Sequence, residues 1–284
     1  MLVNLNEVLA PARKGGYAVG LFNTVNLELA RGVIAAAEEL NSPVIIGTAE
    51  ILLPYGPLED LANLLLSMAK RATVPVVVHL DHGLKEETCR KALEAGFSSI
   101  MYDCSTEEYN MNIEKVQKMT ELAHSFGASV EAELGHVGDN EGSAEGSDHL
   151  MNPEQFYTDP KQAKEYVDKT KVDALAIAVG TAHGAYKFTP KLDFNRIKKI
   201  SEMTDAALVL HGGSGLSDES FKNAIESGIS KVNIFTDINT AGAKAAYQAY
   251  AEGKGLTDLV LPTIEAIKQE TMKKMRLFGS VDRA

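Results

Sequence analysis

Eight short runs rich in valine, isoleucine and alanine alternate with amphipathic stretches along the chain. Such runs, without strict polar alternation, are typical of parallel strands that are covered on both faces. Eight strand–helix units within 284 residues predict a closed (β/α)8 TIM barrel rather than an open doubly wound sheet. No GxGxxG follows the first run, which disfavours a dinucleotide-binding fold. The predicted strands are residues 17–23, 43–48, 74–80, 98–103, 129–134, 172–179, 206–210 and 229–235.

The segments between these runs complete the expected architecture. Helical spacing of apolar residues predicts a helix between successive strands, among them helices at 58–71 and 160–170. Further helices at 239–252 and 263–276 close the chain. Residues 135–159 are rich in Gly, Ser, Asp and Glu and are too many for an ordinary connection, so we expect a lid-like loop after the fifth strand. No low-complexity linker divides the chain, and residues 1–284 are predicted to form one catalytic domain.

The charge balance restricts the partners that the protein can have. A formal net charge of −11 argues against nucleic acid and against an anionic membrane surface. The two cysteines, Cys89 and Cys104, fit neither a CxxC motif nor a disulfide framework and indicate a reducing compartment. The sequence has neither the apolar region of a signal peptide nor a run long enough to span a membrane. We therefore expect a soluble, cytoplasmic protein.

Three His-Gly pairs, at His82, His183 and His211, lie just beyond the third, sixth and seventh predicted strands. One such pair is an ordinary turn, but the carboxyl ends of the strands are the face on which barrel active sites form. Three imidazoles with an open fourth position are a catalytic zinc arrangement. The sequence therefore predicts a zinc site made by these histidines. His79 lies three residues before His82, and strand alternation turns the two side chains to opposite faces, so we expect His79 to support the site.

Acidic residues accompany these histidines. Asp81 is predicted to be a general acid/base beside the metal, with a carboxylate that only orients a histidine as the alternative. The alternation Glu131-Ala132-Glu133 places two acids on one strand face. One of them is expected to be a neighbour of the metal or a hydrogen-bond partner in the site, and Glu133, nearer the end of the strand, is the predicted residue. Asp103, at the end of the fourth strand, is a second candidate for the same polar cluster.

Glycine-rich and polar segments after the last two strands predict phosphate binding. The loops after strands seven and eight are where barrels commonly hold a phosphate, with backbone N–H groups and a helix N-terminus as donors. Lys187 would offset the acidity of the chain. The predicted pocket consists of Gly212, Gly213, Ser214, Asn233, Ile234, Phe235 and Thr236.

Six motifs together resemble the class II, metal-dependent ketose-bisphosphate aldolases, and the resemblance extends over nearly the whole chain. They are GLFN at 20–23, VHLDHG at 78–83, VEAELG at 130–135, HGAYK at 183–187, HGGSG at 211–215 and KVNI at 231–234. The resemblance implies reversible cleavage of a phosphorylated ketose to dihydroxyacetone phosphate and an aldehyde through a zinc-stabilised enediolate. It also implies a monovalent cation, Na⁺ or K⁺, and a homodimer or homotetramer.

The resemblance assigns roles to individual residues. His82, His183 and His211 correspond to the zinc ligands, Asp81 to the acid/base for the C4 hydroxyl, and Glu133, with Asp103 near it, to an alternative zinc position. Gly184 and Lys187 join the pocket for dihydroxyacetone phosphate, and Asn23 and Thr48 are expected on the aldehyde side. Glu141 matches the loop acid that protonates the enediolate, although this loop departs from the usual Gly-Gly pattern and leaves Asp139 and Glu145 as alternatives.

The substrate is left open by the motifs. Fructose 1,6-bisphosphate and tagatose 1,6-bisphosphate rank equally, and a less usual anionic ketose phosphate is the alternative. A metal-dependent barrel hydrolase is disfavoured because the first strand ends in Phe22-Asn23 and not in a His-x-His pair. A phosphosugar-binding subunit of a two-component aldolase, or an enzyme that a partner chain stabilises, also fits the sequence.

Overall fold

The computed structural model describes residues 1–137, 156–182 and 190–284, and nine parallel strands lie in these ranges. Eight of them form a closed ring, in which each strand pairs with its neighbours in chain order and the last pairs with the first. The strands are β1 (Leu2–Val3), β2 (Val19–Asn23), β3 (Val44–Ala49), β4 (Val76–Gly83), β5 (Ser99–Tyr102), β6 (Ser129–Leu134), β7 (Ala174–Ile177), β8 (Ala207–Leu210) and β9 (Ile229–Ile234). Strands β2 to β9 form the ring, which the pairing of β9 with β2 closes. The predicted (β/α)8 barrel is confirmed.

Helices surround this ring and close one end of it. They are α1 (Leu5–Gly15), α2 (Leu27–Glu39), α3 (Leu58–Arg71), α4 (Glu86–Ala95), α5 (Tyr109–Ser125), α6 (Pro160–Thr170), α7 (Phe194–Met203), α8 (Asp218–Glu226), α9 (Thr236–Ala251) and α10 (Leu256–Phe278), with a 3-10 helix at Glu50–Tyr55. The predicted extra C-terminal helix is α10, which packs against α2 and α9. Within the described residues, no helix combines the length and apolar character that crossing a bilayer requires.

The side chains of the strands alternate between two hydrophobic cores. In β4, Val76, Val78 and Leu80 pack in the outer core between sheet and helices, whereas Val77 belongs to the inner core. The inner core is sealed at the amino ends of the strands by the apolar face of α1, which contributes Leu5, Val8, Leu9 and Ala12. The polar residues that face inward are therefore directed toward the carboxyl ends, where the site forms.

The sequence prediction did not include β1 and α1. Strand β1 has two residues and pairs with the start of β4, where β5 does not yet reach. Asn4 caps the N-terminus of helix α1. Its side chain accepts from the Glu7 backbone N–H, and the Glu7 carboxylate accepts from the Asn4 backbone N–H. This reciprocal capping box stabilises the short helix. The packing of the helix against the end of the barrel adds the stabilisation that the cap alone does not provide.

Candidate active site

The end of β4 is bent so that two consecutive residues face the site. Asp81 continues the inward alternation of Val77 and His79 and is 2% exposed. His82 has a φ of 41°, and the pairing of β4 with β5 shifts register between Leu80 and Gly83. Strict alternation would turn His82 away from the barrel, whereas this left-handed backbone turns its ring toward His211 at the end of β8. The predicted opposition of His79 and His82 is removed by the bend.

The imidazoles of His82 and His211 face each other with carboxylates behind them. His82 Nε2 lies 2.8 Å from His211 Nδ1, and the rings are nearly perpendicular. The other nitrogen of each ring points to a carboxylate: His82 Nδ1 to Asp103 Oδ2 at 2.8 Å, and His211 Nε2 to Glu131 Oε1 at 2.7 Å. A ring that donates its N–H to a carboxylate presents a lone pair on its opposite nitrogen. Two lone pairs at this distance need a proton or a cation between them.

The donor set fits a metal ion. Ligand atoms of Asp81, His82 and His211 lie within 4.8 Å of one another, and so do those of His82, Asp103 and Glu133. Glu133 Oε2 is buried, has no hydrogen-bond partner among the described residues and lies 4.0 Å from His211 Nδ1. Mixed imidazole and carboxylate donors are those that zinc takes in catalytic sites. His82 and His211 could hold such an ion, with Glu133 as a third ligand within reach.

The electrostatic field of the site favours positive charge at its centre. Burial alone would lower the pKa of His82, but Asp81, Asp103 and Glu133 raise it to about 10. Burial together with the charge of Asp103 raises the pKa of Glu133 to about 8. The concentration of carboxylates around one small volume contributes to both shifts, and for Glu133 burial is the larger cause.

Asp81 is held by two side-chain amides. Asn23 Nδ2 donates to its Oδ2 and Asn233 Nδ2 donates to its Oδ1, each at 2.9 Å. Burial alone would raise the pKa of Asp81, but His82, His211 and Lys231 hold it well below its ordinary range. Asp81 is therefore an ionised, oriented carboxylate beside the paired imidazoles. Asn23 Oδ1 is buried and has no hydrogen-bond partner among the described residues.

A charged layer lies beneath these groups in the barrel interior. Lys231 Nζ lies 2.7 Å from Glu131 Oε2 and donates to Asn233 Oδ1 at 2.8 Å. His79 Nδ1 contacts Ser99 Oγ at 2.8 Å, and burial followed by the charge of Lys231 lowers the His79 pKa to about 3. His79 is thus a neutral interior residue. Burial alone would raise the pKa of Glu131, whereas Lys231 and His211 lower it to about 2.

The loops after β8 and β9 meet beside the site. Gly212 has a φ of 64°, and a Cβ there would lie 2.3 Å from the Ala182 carbonyl oxygen, so only glycine fits without strain. The Ser214 hydroxyl accepts from the Phe235 backbone N–H at 3.3 Å and joins the two loops. Phe235, at the N-cap of α9, provides no side-chain cap for the first turn of that helix. A turn rich in backbone N–H groups therefore lies at an uncapped helix N-terminus.

The structure does not bring every predicted residue to the site. Thr48 follows Val44 and Ile46 on the outer face of β3, and its hydroxyl contacts the carbonyl of Ala49. The Ile234 side chain packs in the outer core, which leaves only its backbone to contribute. Four further predictions, His183, Gly184, Lys187 and Glu141, lie outside the described residues.

Two residues of the site were not predicted from the sequence. Of the pair Glu131 and Glu133, the prediction chose Glu133, but Glu131 is the one that bonds His211. Lys231 was not assigned a role, although it is the third residue of β9 and fully buried. The sequence did contain a signal for Lys231. It lies two residues before Asn233 and therefore faces the same side of its strand, as Glu131 and Glu133 do on β6.

A parallel (β/α)8 barrel with an imidazole–carboxylate cluster at the carboxyl ends of its strands defines a class of barrel enzymes suited to cation-assisted chemistry. Comparison with known proteins is more specific. The family model described as fructose-bisphosphate aldolase class-II matches residues 3–283. The chain is 41% identical over 289 residues to the fructose-bisphosphate aldolase of Geobacillus stearothermophilus, an alignment that covers 100% of this chain and 99% of that protein.

Two further relatives agree. The fructose-bisphosphate aldolase of Staphylococcus aureus (strain N315) is 38% identical over 298 residues, with 100% of this chain and 99% of that protein covered. The crystal structure of the YdjI aldolase from Escherichia coli K12 superposes with a TM-score of 0.90 at 36% identity and covers 100% of both chains. The chain belongs to the class II fructose-bisphosphate aldolase family, and it is an aldolase, a lyase of carbohydrate metabolism. The family is generally metal-dependent and acts on phosphorylated sugars.

Proposed function

We propose that this aldolase is zinc-dependent and reversibly cleaves a phosphorylated ketose to dihydroxyacetone phosphate and an aldehyde. The observation that carries the proposal is the pair of facing imidazoles, His82 and His211, each with its outer nitrogen on a carboxylate. The ionised Asp81 lies directly beside them. The whole chain, residues 1–284, would act as one catalytic domain.

The metal would be held by His82 and His211, with His183 as the third imidazole expected from the sequence. Glu133 offers a carboxylate at an alternative position, and Asp103 keeps His82 oriented through its Nδ1. When bound there, zinc supplies a Lewis acid for the ketose carbonyl and for the negative charge that cleavage produces.

The protein supplies the proton transfers. Asp81, held by Asn23 and Asn233, takes the proton of the C4 hydroxyl. The C3–C4 bond then breaks, the C4 oxygen becomes the aldehyde carbonyl, and the bonding electrons pass to C3 as an enediolate. Glu141 is the proposed acid that returns a proton to C3. Buried amide donors on both oxygens of Asp81 keep it aimed at the substrate during these steps.

The phosphate of the dihydroxyacetone half would bind at the β8 and β9 loops. Gly212, Gly213 and Ser214 offer backbone N–H groups beside the uncapped first turn of α9. Gly184, Lys187 and a monovalent cation, Na⁺ or K⁺, would complete the pocket together with Asn233, Ile234, Phe235 and Thr236. On the aldehyde side, Asn23 remains the proposed contact because its Oδ1 is buried without a protein partner in the described ranges.

Fructose 1,6-bisphosphate and tagatose 1,6-bisphosphate are the proposed substrates, and a less usual anionic ketose phosphate is the alternative. Both bisphosphates present the same dihydroxyacetone half to these loops and differ only at C4. The relatives named as fructose-bisphosphate aldolases favour the first. We further propose a cytoplasmic homodimer or homotetramer. Initial cleavage rates on a panel of ketose phosphates rank these substrates.

Chelation tests the role of the metal. Prolonged dialysis against a chelator should abolish cleavage, and added Zn²⁺ should restore it while added Mg²⁺ should not. Borohydride trapping is the complementary measurement, because a covalent adduct between a lysine and the substrate would indicate a Schiff-base mechanism and refute the proposal. Full activity of the chain purified alone would exclude a two-component enzyme.

A further inference from the structure

We propose that Lys231 is a positioning residue in the barrel interior. Through its neighbours it orients both His211 on the metal-binding side of the site and Asp81 on the proton-transferring side. The inference rests on the proposed zinc-dependent function. The ammonium contacts two residues, Glu131 and Asn233, and each passes the contact on to a different functional group.

The location of Lys231 requires a specific role. Its side chain points into the barrel and is 0% exposed. Burying an ammonium is strongly unfavourable unless it is paired and hydrogen-bonded. Lys231 is not suited to attack a substrate carbonyl, because its ammonium is already engaged by Glu131 and Asn233 below the site. A residue retained there at such cost is expected to act through its neighbours.

The first contact leads to the metal side. Lys231 Nζ fixes Glu131 Oε2 at 2.7 Å, and the other oxygen of the same carboxylate faces His211 Nε2 at 2.7 Å. His79 Nε2 lies farther from Glu131 Oε2, at 3.8 Å. Without the ammonium, Glu131 would be an uncompensated buried charge, free to turn away from His211. The lone pair of His211 Nδ1 would then lose the support that directs it at the metal.

The second contact leads to the proton-transferring side. Lys231 donates to Asn233 Oδ1, which leaves Nδ2 of the same amide to donate to Asp81 Oδ1. An amide has one accepting and one donating end. By occupying the accepting end, Lys231 determines that the donating end faces Asp81.

The test uses a single variant that removes both contacts, a double variant that also relieves the effect on Glu131, and one control. Lys231→Met removes the ammonium at similar length. Lys231→Met with Glu131→Gln also removes the uncompensated carboxylate, and the amide that replaces it still offers an oxygen to His211. The control is Arg13→Met, because Arg13 donates to the carbonyls of Ala206 and Ser201 at the opposite end of the barrel. Zinc affinity by competition with a chelating dye, kcat, KM and Tm are measured for each protein.

Loss of a residue that orients a metal-bound histidine weakens metal binding by about 10–100-fold, and we expect this of Lys231→Met, together with a lower kcat. The double variant should regain most of the zinc affinity but not kcat, since Asn233 stays unanchored. Arg13→Met should lower Tm and leave zinc affinity and kcat unchanged.

Wild-type zinc affinity in Lys231→Met would overturn the inference, and so would a double variant no better than the single one. Should Lys231→Met fail to fold, the double variant decides alone: a folded protein with zinc affinity near wild type and reduced kcat supports the proposal, and any other result for the folded protein overturns it. Failure of the wild-type protein to bind zinc would instead refute the proposed function.

Discussion

Asp103 supports the metal-binding side of the site through its contact with His82, and the effect of removing Asp103 can be derived from that contact. Its Oδ2 lies 2.8 Å from His82 Nδ1, and the side chains of His82 and Asp103 are only 17% and 11% exposed, so solvent screens the contact little. A hydrogen bond to a charged group contributes about 1.5–3 kcal/mol. At about 1.4 kcal/mol per tenfold change, Asp103→Ala should weaken zinc binding by about 10–100-fold.

The assay is zinc competition against a chromophoric chelator, followed by kcat at saturating zinc. Asp103→Asn should lose less affinity than the alanine variant, because the amide oxygen can still accept from His82. Asp173→Asn is the matched control: Asp173 Oδ2 faces His124 Nε2 at 2.9 Å in a pair with an exposed imidazole. The reasoning is refuted if folded Asp103→Ala binds zinc within twofold of wild type, or if Asp173→Asn loses as much.

Three further predictions concern single residues. Asp81→Asn should reduce kcat by about 10²–10⁴-fold, the usual contribution of a general acid/base, with zinc content unchanged by metal analysis; a loss below tenfold would exclude the assigned role. Folding raises the pKa of Glu133 from its ordinary 4.5 to about 8. Between these two pH values the folded metal-free protein therefore binds more protons than the unfolded chain, and its stability falls as the pH rises. Glu133→Gln should therefore gain unfolding free energy relative to wild type, more at pH 8 than at pH 5 in urea denaturation, and equal gains would contradict this. Gly212→Ala should destabilise more than Gly253→Ala. Both sites have positive φ, which costs about 1–2 kcal/mol, but only at Gly212 would the added methyl group overlap a neighbour, the Ala182 carbonyl oxygen; similar losses would exclude the clash.

Elements with strong local signals could be predicted from the sequence. The helix predicted at 58–71 has the observed bounds of α3, and the one predicted at 160–170 has those of α6, where Asp159 caps and Pro160 opens the helix. The bounds of β6 were also predicted. Strand β1 has no local signal, because its two residues form a strand only by pairing with β4. The extension of β4 to Gly83 depends on the backbone of His82, which no periodicity indicates.

The sequence predicted which end of the barrel carries the site, but not every residue that forms it. Motif positions directed attention to the ends of β4 and β8, where His82 and His211 lie. The choice between Glu131 and Glu133 was not available from spacing, because both face inward and the histidine that distinguishes them is 80 positions further along the chain. Thr48 was predicted at the correct end of its strand but lies on the outer face. A shift of one residue along a strand exchanges the inner and outer faces.

The inward faces of the strands form three layers whose order explains why the barrel retains charges in its interior. Helix α1 seals an apolar layer, the pair of Glu131 and Lys231 lies above it, and Asp81 and the imidazoles lie above that. Replacing a buried ion pair by well-packed apolar residues is often neutral or stabilising. Lys231→Met combined with Glu131→Leu should therefore keep or raise Tm yet weaken zinc binding, because leucine offers no acceptor to His211. Thermal denaturation and zinc competition on this variant, compared with its Glu131→Gln counterpart, separate the two effects. Undiminished zinc affinity in the leucine variant would mean that the middle layer serves the fold and not the site.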